Sequence, residues 1–119
     1  MSIGTSEAKS MLKKWNSLQK VADKLGLYIS DEYSDQDYEY VVVPKNMKRH
    51  LPVLIGLHDQ NGFRNNFPIW YLENMDSILD FLGGIALSQG KVLTVEDNDH
   101  DKWILADPEK FSAKDLNRD

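Results

Sequence analysis

The chain has no cysteine. That excludes disulfides, thiolate nucleophiles and zinc sites built on thiolate ligands. No apolar run approaches the roughly 20 residues with which a helix crosses a bilayer, so no membrane partner is expected. The opening MSIGTSEAKS has no basic stretch followed by an apolar one, and Ser2 stands where N-myristoylation requires glycine. A cytoplasmic location is the expectation. Sequence signatures of catalysis are also missing. There is no Gly-x-Ser-x-Gly elbow, no His-x-x-x-His pair and no Gly-rich phosphate loop.

Positive charge is in the minority, with 14 Lys and Arg against 19 Asp and Glu, for a net charge of −5. That balance makes nucleic acid an unexpected partner, because nucleic-acid binders carry a basic domain or stripe. The charge is uneven, however. Residues 1–26 and 45–64 each sum to +3, and residues 27–44 sum to −5.

What is present describes a globular chain. The 119 residues fit one domain, residues 1–119. Three Trp, five Tyr and four Phe supply bulky core material and argue against disorder. Ala8, Met11, Leu12, Trp15, Leu18, Ala22 and Leu25 recur at three- and four-residue steps, which is the apolar stripe of an amphipathic helix. Thr5 or Ser6 is expected to cap it, and Gly26 to end it. Strands are predicted at Leu27–Ile29, Tyr38–Val43, Leu51–Leu57 and Phe67–Leu72. The third rests on alternating Leu51, Val53, Ile55 and Leu57. Asn74 is placed to cap a second helix with Ile78, Phe81, Leu82, Ile85 and Ala86 on one face. Gly83-Gly84 inside it implies close backbone packing or a kink. Val92–Glu96 and Lys102–Ala106 should pair as a hairpin, and Asp107-Pro108-Glu109 should start a helix running through Phe111 to Leu116. The expected fold is a single α+β domain. A mostly antiparallel sheet of about five to six strands packs against the N-terminal helix and a second helix near residues 75–88.

The stretch VEDNDHDKWIL places Asp97, Asp99 and Asp101 at every second position, as a calcium-binding EF-hand loop begins. That loop also needs Gly at its sixth position and Glu at its twelfth. Here those are Lys102 and Pro108, and both flanks read as strands. The stretch therefore reads as an acidic hairpin tip. His100 beside it does not suit calcium, and a transition metal would want more nitrogen ligands. Neither a metal nor another cofactor is expected.

Four groups remain as candidates. His58 beside Asp59 offers acid–base chemistry, with His50 eight residues away. The segment from Tyr28 to Tyr40 interleaves Tyr33, Tyr38 and Tyr40 with Asp31, Glu32, Asp35, Asp37 and Glu39, a composition suited to meeting a basic partner surface. Lys45, Lys48 and Arg49 form the opposite patch, and Lys9, Lys13, Lys20 and Lys24 lie on the polar side of the first helix. The loop DQNGFRNN presents Phe63 and Arg64, residue types that dominate binding hot spots. The leading expectation is a small, acidic, non-enzymatic chain that binds another protein, of the accessory, inhibitor or immunity type. Phe63, Arg64, Tyr33, Asp35 and Asp37 would make contact, and a homodimer is one form of such binding. The first alternative is a small enzyme or metal-dependent protein using His58, Asp59 and His100. The second is nucleic-acid binding through Lys45, Lys48, Arg49 and the first helix.

Overall fold

The computed structural model describes residues 3–34, 37–61 and 68–110, with side chains described except at 3–5, 58–61 and 110. The chain is α+β. Three helices, α1 (Ile3–Lys24), α2 (Leu51–Asn61) and α3 (Met75–Ser88), accompany five strands: β1 (Leu27–Ser30), β2 (Tyr40–Pro44), β3 (Trp70–Leu72), β4 (Val92–Glu96) and β5 (Asp99–Ala106). The strands form two sheets, β1-β2-β3 and β4-β5, where the sequence suggested one. Backbone packing divides the chain into two compact units, residues 1–21 with 79–119, and residues 22–78.

In the first unit, the apolar stripe of α1 is only partly used. Leu18 and Val21 are buried, whereas Met11 and Leu12 stay exposed. The helix begins at Ile3, so Thr5 and Ser6 lie in its first turn and do not cap it from outside. Strands β4 and β5 pair antiparallel through Val92↔Ala106 to Glu96↔Asp99, with an irregularity at Val95/Glu96. The turn is only Asp97-Asn98, so Asp99, His100 and Asp101 belong to the strand and not to a loop. Strand pairing on both sides of the turn rules out the helix–loop–helix of an EF-hand.

Ser17 ties α1 to β5. Its buried hydroxyl accepts the Trp103 backbone N–H at 2.9 Å, and it lies 2.8 Å from the Lys14 carbonyl and 3.3 Å from the Asp101 carbonyl as donor. Alanine here would leave a partly buried backbone N–H without its acceptor, which costs about 1–3 kcal/mol. Ser17→Ala should therefore lower the urea midpoint at unchanged denaturant slope. An unchanged midpoint would show that water replaces the hydroxyl.

Lys13 adds an ion pair to Asp99. The hydrogen bond from Lys13, then the Asp101 backbone N–H, holds the Asp99 carboxyl below its ordinary value of 3.8. A carboxyl whose pKa is lower folded than unfolded contributes stability above its unfolded pKa. That contribution disappears as pH falls through the folded value. Asp99→Asn should thus be less stable than wild type at neutral pH, and the difference should close on acidification below about pH 4. Denaturant midpoints across a pH series will show this; a difference independent of pH would contradict it.

The second unit is built on β2. Val41, Val42 and Val43 are all essentially inaccessible, so both faces of the strand are covered. Strand β1 flanks it in the register Leu27↔Pro44 to Ser30↔Val41, and β3 in the register Tyr40↔Leu72 to Val42↔Trp70, both antiparallel. Val41, Val43, Leu51, Leu54 and Ile69 form one core cluster, with Tyr28, Met47, Ile55 and Tyr71 packed against it. Gly26, at φ +84°, reverses the chain after α1, and its carbonyl accepts the Lys45 N–H at 2.8 Å.

One predicted strand is a helix. Leu51, Val53, Leu54, Ile55 and Leu57 satisfy the periods of two and of 3.6 alike, so the pattern could not separate them. Tertiary packing decides: Leu51 and Leu54 are buried at helical spacing, and Val53 is exposed. Pro52 fits because it occupies the first turn, where no intrahelical N–H bond is lost. The six strands of the sequence reading thus become five. The basic stretch 45–50 is a 3-10 helix.

Asn74 caps α3, its Oδ1 accepting the Ser77 N–H at 3.0 Å. Close packing does not explain Gly83-Gly84, because among the described residues nothing lies within 4 Å of a Cβ at either position. Gly84→Ala should stabilise the chain by about 0.5–1 kcal/mol through helix propensity. A loss of thermal stability in that variant would contradict the open surroundings. At the other end, Pro108–Lys110 forms a 3-10 turn, and the helix expected over 111–116 falls outside the described residues.

Candidate binding cleft

Pro44 ends β2 in extended geometry, and the chain then winds through the 3-10 helix Lys45–His50 into α2. A 3-10 helix has three residues per turn, so residues i and i+3 eclipse. Lys45 and Lys48 therefore share one edge, with Arg49 beside it. The Lys48 ammonium lies 4.6 Å from the centre of the Tyr28 ring, a cation–π contact that fixes it against β1. Lys45 reaches Asp23 at 2.8 Å, but both side chains are more than half exposed, so this pair adds little stability. Arg49 is exposed and makes no ion pair among the described residues.

The opposite wall comes from the end of β1. The buried Ser30 hydroxyl accepts the Glu32 N–H at 3.1 Å and closes a local turn. That turn sets Glu32 and Tyr33 on the rim. Between the two walls lies an open cleft of about 570 Å³, with Tyr28, Tyr33, Leu51 and Pro52 as its less polar lining. Among the described residues, Lys45, Lys48 and Arg49 supply three cations to the lining, against one carboxylate, that of Glu32. The cleft is thus a cationic site in an acidic chain.

The sequence-derived candidates separate on this geometry. Tyr33 lies on the cleft and is about one-third exposed. Asp37 is exposed but does not line the cleft. Tyr38 instead packs on Tyr71, with ring centres 5.6 Å apart. Tyr40 belongs to β2, where burial first, then Glu39 and Asp31, raises its phenol pKa. The acidic tyrosine segment is therefore not one surface. Asp35, Phe63 and Arg64 lie outside the described residues. His58 and Asp59 sit on α2 and not at a strand end, with side chains outside the described set. The helix shortens the axial distance from His50 to His58 to roughly 12 Å, from the 26 Å of an extended strand. His100 is an exposed residue of β5. Among the described residues, no group of three or more His, Asp or Glu converges as a metal-ligand set.

Two features of the cleft were not read from the sequence. Tyr28 and Lys48 are 20 residues apart, and only the pairing of β1 with β2 brings them together. Pro52 became a wall residue only because its segment is helical. The i, i+3 spacing of Lys45 and Lys48 was the signal available, and it has meaning only once the stretch is known to be helical. Comparison with known families, with curated proteins and with solved structures finds no match to this chain. Among the described residues no helix is long and apolar enough to cross a membrane.

Proposed function

We propose that the chain is a non-enzymatic protein-binding module and that the cleft between the end of β1 and the 3-10 helix is its binding surface. One observation carries this reading: Tyr28, Tyr33, Lys48 and Arg49 line a single open concavity. Tyrosine and arginine are the residue types in which binding energy concentrates, because each combines a large contact area with directed hydrogen bonds. The residues read separately as an acidic tyrosine segment and as a basic patch thereby contribute to one surface. The loop of Phe63 and Arg64 is proposed as a second contact for the same partner.

Nucleic-acid binding is the weaker reading. The cleft's cations lie within one six-residue segment, spanning roughly 12 Å and thus only a few phosphates. Lys13, one of the helix lysines, is held by Asp99. The test is photo-crosslinking in an extract of the source organism, with p-benzoylphenylalanine placed at position 33 or, as an exposed control that does not line the cleft, at position 87. The expected result is a protein adduct formed from position 33 and not from position 87. Equal labelling from both positions, or none from 33, would count against the cleft. An adduct at twice the chain mass would identify the partner as a second copy.

A further inference from the structure

We infer that the cleft takes an acidic segment of its partner protein, with a carboxylate held by the Arg49 guanidinium and an apolar side chain set against Tyr33 and Pro52. This rests on the binding reading above and specifies its chemistry. The three cations of the cleft differ in their commitments. Lys45 is shared with Asp23, and Lys48 is held over the Tyr28 ring. Arg49 has no ionic partner among the described residues, and its planar fork matches a carboxylate with two parallel hydrogen bonds. Lys48 can serve a second carboxylate without leaving the ring, since an ammonium over an aromatic face keeps outward donors.

Glu32 on the rim limits how much negative charge the cleft accepts. A phosphate dianion concentrates its charge at one point and favours two or more uncommitted cations. Carboxylates spaced along a peptide spread theirs, and place neutral backbone beside Glu32. Tyr33 on one wall and Pro52 on the other are exposed, less polar surfaces between which an aromatic or aliphatic side chain of the segment would sit. Nucleic acid fits less well, because Lys48 already covers a face of Tyr28 on which a base would stack.

The experiment is a titration of the ¹⁵N-labelled full chain with a capped peptide, Gly-Asp-Glu-Phe-Asp-Asp-Gly, followed by amide chemical shifts. Three further probes are run: the Asn/Gln analogue, a phosphoserine analogue with the other acids neutralised, and a short single-stranded oligodeoxynucleotide. The acidic peptide should shift the amides of residues 28–33 and 45–51 saturably. The neutral analogue should bind roughly tenfold more weakly or worse. Arg49→Gln should weaken the acidic peptide to a similar degree, and Glu32→Gln should tighten it. Equal binding of the neutral peptide, shifts confined to other residues, or no binding would overturn the inference. Tighter binding of the phosphoserine peptide or the oligonucleotide would overturn it in favour of that anion. The two readings fail differently. A crosslinked partner at position 33 that is insensitive to Arg49→Gln leaves the binding module standing and removes the acidic ligand. Loss of both crosslink and shifts removes both.

Discussion

Leu18→Ala is expected to destabilise the folded chain by about 2–5 kcal/mol, whereas Leu12→Ala, on the same helix, should change stability by less than about 0.5 kcal/mol. Both leucines belong to the apolar stripe that the sequence displays. The structure separates them: Leu18 is fully buried, and Leu12 keeps 58% of its surface exposed. Truncating Leu18 removes buried methyl groups and leaves a cavity that close-packed neighbours fill only in part. Truncating Leu12 removes surface that is already wet, and alanine is a good helix former in compensation. Urea denaturation of the two variants beside the wild type measures the contrast. Similar losses in both would mean that α1 is covered along its whole stripe. Similar small losses would mean that Leu18 is not part of the core.

The second large effect concerns binding and should leave stability almost untouched. Lys48→Glu combined with Arg49→Glu is expected to weaken partner binding by roughly a hundredfold or more. A hydrogen bond to a charged group contributes about 1.5–3 kcal/mol, and two are lost while repulsion is added. Both side chains are exposed. The folded chain loses one exposed cation–π contact, worth about 0.5–1 kcal/mol, so the melting temperature should fall only slightly. A variant that melts much earlier would instead make Lys48 and Arg49 structural. Isothermal titration against the crosslinked partner, together with thermal denaturation, separates these outcomes.

What was legible in the sequence follows from how many signals agreed. Helix α3 was read correctly because the Asn74 cap and the apolar face of Ile78, Phe81, Leu82, Ile85 and Ala86 point the same way. The hairpin β4-β5 was legible from β-branched residues around a polar turn, although its tip was placed too wide. Leu51–Leu57 was misread because its apolar residues satisfy the periods of two and of 3.6 alike. Only its packing on Val41 and Val43 chooses helix. The single sheet became two because sequence pattern marks strands and not their partners. For the candidate site, Tyr33, Lys45, Lys48 and Arg49 were each singled out, but as members of opposing patches. Their meeting in one cleft depends on the β1-β2 register and on the 3-10 helix, and neither has a local signature. The Tyr28–Lys48 contact is likewise a product of strand pairing.

The cleft beside Tyr28 and Arg49 is proposed as the surface through which this chain binds another protein. Its most direct test is quantitative capture from source-organism extract by the wild-type chain and by the Lys48→Glu/Arg49→Glu variant, both shown folded by circular dichroism. The expected result is a partner retained by the wild type and lost by the variant, with recovery when the cations are restored. A partner retained equally by both, or none retained by either, would contradict it.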